Sequence, residues 1–180
     1  MNIRKLVYFF ILSGFLLLSV KGYCESAEDH VQKGISCHND GKFDDAIAEY
    51  DRAIEIDPAS YRAYNFRGIA YAAKDKNNLD VGLADLSKAI EIYPQYFEGY
   101  YNRARAYMYK NDLDSMISDL TTAIEIKQDF IEAYNLRAGA YLQKGIYDKA
   151  WDDVYRIKSF GRKIDPAFFE ALKKASGREK

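Results

Sequence analysis

The residues AIEIDP at 53–58 return as AIEIYP at 89–94 and again as AIEIKQ at 123–128. A second phrase keeps the same step, as YNFRG at 64–68, YYNRA at 100–104 and YNLRA at 134–138. For both phrases the first return is 36 residues on and the second 34. Two phrases sharing one period of this length mark a chain built of stacked copies of one supersecondary unit. A single unit cannot bury its own apolar face, so the copies supply one another with neighbours.

Each period carries two helical faces. Tyr64, Gly68 and Tyr71 fall at i, i+4 and i+7, and Tyr100, Ala104, Tyr107 and Tyr134, Ala138, Tyr141 repeat them. After a break a second face appears: Ala46, Tyr50, Ala53, then Gly82, Leu86, Ala89, then Met116, Leu120, Ala123, then Ala150, Val154, Ile157. Gly41 and Gly145 stand between the two helices, where a tight turn favours positive φ, and Asn77 or Asn78 and Asn111 take that place in the other units. Pro58 and Pro94 close the second helix, which proline cannot extend. The small residues Gly68, Ala104 and Ala138 let one helix lie close to its partner. The aromatic residues, 16 tyrosines among them, fill the space between pairs at about 1.5–3 kcal/mol for each side chain buried.

In these residues the chain resembles the tetratricopeptide repeat family, with the aromatic, small, tyrosine, alanine and proline positions met in order. The resemblance covers 27–164 as four repeats, 27–60, 61–96, 97–130 and 131–164, the second carrying a two-residue insertion around 76–79. Cys37 stands at a tyrosine position, Gln128 and Arg162 at proline positions, and Ile157 at a small-residue position. The predicted fold is all-α, a right-handed superhelical solenoid of four helix pairs. One more helix, 165–176, follows as a C-terminal cap, opened by Asp165-Pro166 and ended by Gly177. It is expected to cover the last pair around Val154 and Ile157, as solenoids require.

Residues 1–24 follow different rules. Arg4 and Lys5 precede an apolar run of 15 residues, 6–20, broken only by Ser13, Gly14 and Ser19. This is short for a membrane-spanning helix and suits a secretory signal. Small residues fit for cleavage follow at Gly22, Cys24 and Ser26. The expectation is an exported protein, periplasmic or secreted. The alternative is an uncleaved anchor, Lys21 flanking the run on its far side, and the membrane would then be met only through this segment. Lipidation at Cys24 fits poorly, because the bulky Tyr23 precedes it. Loss of 1–24 leaves 23 of the 26 basic residues against 27 acidic, a balance of −4. Nucleic acid, which needs a basic face, is not an expected partner. Apolar content of 48% with 29% charged excludes global disorder.

Catalytic constellations are missing from the sequence: there is no glycine-rich phosphate loop, no HExxH and no CxxC. His30, Cys37 and His38 form the one dense group of soft ligands, but a third ligand on one helical face is lacking. Cys37 is read as a small buried hydrophobe, His38 as solvent-facing, and no metal or cofactor is expected. DKNNLD at 75–80 lacks the glycine and closing glutamate of a calcium loop and is read as the inserted turn. The expected function is a non-catalytic scaffold for protein–protein interaction or complex assembly.

The resemblance places binding on the concave side, which the first helix of each pair lines. The residues it assigns there include Asn65, Phe66, Tyr101, Asn102, Arg105, Met108, Tyr109 and Asn135. Amides suit a peptide backbone, Tyr101 and Tyr109 an apolar side chain, and Arg105 a carboxylate. Asn65 and Asn135 can equally bond neighbouring helices, and Arg67, Arg103 and Arg137 read as structural. Some family members clamp a C-terminal carboxylate with lysine, asparagine and arginine. The matching positions here are Val31, Ile35, Phe66, Glu98, Asn102 in one register and Asn65, Ile69, Asn102, Glu132, Leu136 in the next. A heat-shock-tail clamp is therefore not expected.

Overall fold

The structure, a computed structural model, describes residues 25–178. The predicted signal or anchor at 1–24, with Cys24, lies outside the described residues. Nine α-helices and no strand occur among the described residues. They are α1 (Ala27–Asn39), α2 (Phe43–Ile56), α3 (Tyr61–Lys74), α4 (Leu79–Ile92), α5 (Phe97–Tyr109), α6 (Leu113–Ile126), α7 (Ile131–Gln143), α8 (Tyr147–Ser159) and α9 (Pro166–Ser176). Consecutive helices pack as antiparallel pairs, and each pair packs on the next, giving an all-α superhelical solenoid. First helices of neighbouring pairs also touch, α1 with α3, α3 with α5, and α7 with α9. That closeness places the first helices on the inner side of the curve.

The periodic faces are the core. Ala46, Tyr50, Ala53, Leu86, Ala89, Met116, Leu120, Ala123, Ala150, Val154 and Ile157 are all essentially inaccessible. Gly68 is required by a close crossing: a Cβ there would lie 2.7 Å from the carbonyl oxygen of Gly82. Gly41 and Gly145 take φ of 76° and 71°, and Asn111 takes 57°, so three of the four pairs turn through the left-handed region. The α3–α4 pair instead turns through a 3-10 segment, Lys76–Asn78, made possible by its two extra residues.

Helix α9 is built as its sequence predicts, with Asp165 capping the Phe168 N–H at 2.8 Å and Gly177 at φ 69°. The surface under it differs from the expectation. Trp151 and Val154 meet Leu172 and Phe169, whereas Ile157 belongs to the core of the preceding pairs. The Trp151 indole N–H also donates to Ser176 Oγ at 3.0 Å.

Candidate functional site

The inner face of α3 and α5 forms a groove with two connected clefts. One, an open space of about 1080 Å³, lies among Tyr61, Phe66, Tyr96, Glu98, Tyr101 and Phe130, with Arg62, Asn65 and Asn102 completing it. The other, of about 380 Å³, is lined by Ile69, Ala72, Asn102, Arg105, Ala106 and Tyr109. Asn102 belongs to both, so the clefts run into one another along α5.

Of the residues assigned from sequence, Asn65, Phe66, Tyr101, Asn102, Arg105 and Tyr109 line this groove. Asn65 is buried, only 1% exposed, and accepts the Asn102 side-chain N–H at 3.0 Å. It thus holds two first helices together while its partner Asn102 faces the groove. Tyr101 is half-buried against Phe130, ring centroids 5.0 Å apart, and the Arg105 guanidinium lies 6.0 Å from the Tyr101 ring centre. Tyr109 is 56% exposed. Met108 and Asn135 are exposed but line neither cleft.

Sequence reasoning missed Tyr61, Tyr96 and Phe130. Tyr96 and Phe130 occupy the N-cap positions of α5 and α7 and make no capping hydrogen bond, whereas Ser60, at the same place before α3, caps the Ala63 N–H. A serine or aspartate cap is worth roughly 1 kcal/mol. An aromatic residue in its stead is the signal that these side chains face elsewhere. Tyr61 packs on both Tyr96 and Tyr93, at 4.9 and 5.0 Å. Burial, and next the neighbouring Glu98 carboxylate, push the Tyr96 phenol up to about 12, with Arg62 acting the other way.

Behind the groove lies a repeated polar ladder. Arg67 grips Asp85 with two hydrogen bonds of 2.7 and 2.8 Å and reaches back to Asp51 at 2.6 Å. Arg103 grips Asp119 and reaches Ser87, and Arg137 grips Asp153 and reaches Thr121. These arginines are structural, as read from sequence. In the first pair this place holds Lys33, which pairs with Glu25, and it is His30, three residues earlier, whose Nδ1 lies 2.7 Å from Glu49. Among the described residues no group of three histidine, cysteine or acidic side chains is placed to hold a metal ion. Cys37 packs beside Tyr50 and Ala46. His38 is not solvent-facing: it is half-buried edge-on to Phe43, centroids 5.2 Å apart, and burial lowers its pKa.

Comparison with known proteins agrees with this architecture. A TPR repeat model matches residues 36–75 and a tetratricopeptide repeat model residues 97–130. A STIP1 homolog of Dictyostelium discoideum is 31% identical over 86 residues, 48% of this chain but only 15% of that protein's length. Among solved structures, MamA matches with a TM-score of 0.68 at 24% identity, over 88% of this chain and 85% of its own. The first TPR of Spaghetti (RPAP3), solved with the HSP90 peptide SRMEEVD, matches with a TM-score of 0.60 at 23% identity, over 64% of this chain and 90% of its own. The chain thus carries tetratricopeptide repeat matches at 36–75 and 97–130, and its structural neighbours share the same helix-pair solenoid.

Proposed function

We propose that the chain is a non-catalytic scaffold of the cell envelope that holds a peptide segment of another protein in its inner groove. The observation carrying this reading is the aromatic and amide lining of one continuous groove, with Tyr96 and Phe130 taken from helix-capping positions to line it. Central clusters of tyrosine and arginine are where interface energy concentrates, often about 2 kcal/mol or more per residue. A structural neighbour carries a peptide on the same fold. That peptide has three acidic residues among its last four, and the carboxylate-clamp positions here hold Glu98, Phe66 and Leu136, so a different class of segment is favoured. Export rests on the apolar run at 6–20 and its basic flanks.

A photo-reactive residue placed in the living cell at Tyr101 should crosslink a defined partner, whereas one at Tyr155, exposed on α8, should not. Replacing Arg105 and Tyr109 together by alanine should abolish that crosslink with helical content unchanged. A folded double variant that still captures the partner in full would move the site off this face. Fractionation and N-terminal sequencing of the protein check export, and an intact N-terminus in the membrane fraction would instead indicate the anchored form.

A further inference from the structure

Most charged side chains near the groove are neutralised within the chain. Arg62 is held by Glu28 at 2.5 Å, and Lys127 lies over the rings of Phe97 and Phe130, outside the lining. Glu98 and Arg105 differ. Among the described residues neither makes an ion pair or a hydrogen bond, and Arg105 has only its contact with the Tyr101 ring. Both are on α5, seven residues apart, which returns them to nearly the same face about 10.5 Å apart along the axis. An extended chain in the polyproline II conformation rises about 3.1 Å per residue with about three residues per turn, so residues three apart span about 9.3 Å and return to the same side.

The surroundings of each charge are distinct. Glu98 lines the aromatic cleft with Tyr96, Tyr101 and Phe130, where a cationic group meets a carboxylate and ring faces together. Arg105 lines the second cleft beside Ile69 and Tyr109, with its guanidinium exposed. Between them Asn102 uses an N–H on Asn65 and keeps its amide oxygen for a backbone donor.

We propose that the groove selects an extended peptide segment that seats a lysine or arginine against Glu98 and, three residues away, a carboxylate against Arg105. This deepens the peptide-binding reading above and rests on it. A purely structural Glu98, stabilising the N-terminus of α5, would leave peptide preference untouched when made neutral.

Fluorescence anisotropy on the purified full chain tests the assignment with short labelled peptides sharing one apolar frame. One set carries Lys and Glu three residues apart, in both chain directions. Others replace Lys by norleucine, replace Glu by Gln, place the two charges side by side, or supply the carboxylate as a free C-terminus. The spaced Lys/Glu probe should bind about tenfold or more tighter than the norleucine probe, and Glu98→Gln should erase that difference. Arg105→Gln should erase only the preference for the carboxylate, and the free C-terminus arm shows whether side chain or terminus supplies it. Equal affinity for the lysine and norleucine probes, or an undiminished lysine preference in Glu98→Gln, overturns the assignment and leaves the peptide reading standing. Failure of every probe to bind overturns both.

Discussion

Arg67, Arg103 and Arg137 each tie the two helices of one pair together and then reach the second helix of the pair before. Their aspartates are nearly inaccessible, with Asp119 at 5% and Asp153 at 3% exposure. Removing one partner leaves a buried carboxylate alone, so Arg103→Ala should cost about 3–5 kcal/mol in urea unfolding. Arg103→Lys should recover only part of this, because an ammonium cannot reproduce the two-pronged contact. Two capping aspartates add to the acid sensitivity of the fold. The Ser26 backbone N–H holds Asp29, and the Ser115 hydroxyl and N–H hold Asp112, below the ordinary value of 3.8. Their stabilisation is thus present above that value and is lost as pH falls through the lowered one. Denaturation midpoints should drop below about pH 4, and Asp112→Asn, which keeps the acceptor but not the titration, should lessen that drop. The arginines could be read as structural from their constant place in the period, but their acidic partners sit in the other helix, and only packing pairs them.

At the scale of the helix, each pair depends on one close crossing. Gly68 faces Leu86 of the partner helix, Ala104 shares a core with Leu120, and Ala138 is likewise wholly buried. Gly68→Ala brings a Cβ to 2.7 Å from the Gly82 carbonyl oxygen and 2.9 Å from Leu86, so α3 and α4 must separate. A loss of about 1–3 kcal/mol is expected, read as a lowered melting temperature. Helix α9 occupies the place of a first helix with no second helix against it in the described residues. Leu172 stands where the other first helices carry glycine or alanine, and it is wholly buried. Arg178 even pairs with Asp148 at 2.6 Å in the register in which Lys110 pairs with Asp80 and Lys74 with Asp44. Leu172→Ala should therefore cost about 2–5 kcal/mol, the range for a cavity in a packed core.

Across the whole molecule, contacts run from each pair to its neighbours, so stability spreads along the stack rather than from one centre. Ending the chain at Gly161 would uncover Trp151 and Val154, both at 0% exposure, and size-exclusion chromatography should show association. A truncated chain that remained monomeric with an unchanged melting temperature would show that α9 is not a cap. The period of the sequence by itself determined the helix pairs, their faces and the small residues at their crossings, because those depend on neighbours within a few turns of one helix. The family resemblance, rather than the period, pointed to residues that line the groove, among them Tyr101, Arg105 and Tyr109, spaced at i, i+4 and i+8 of one helix. Only the tertiary structure decided that Asn65 is spent on Asn102, that Tyr61, Tyr96 and Phe130 join the lining, and that Glu98 and Arg105 make no ion pair among the described residues. Those facts depend on the curvature of the stack, which brings side chains from successive repeats together, and a single helical period carries no record of which charges meet across it.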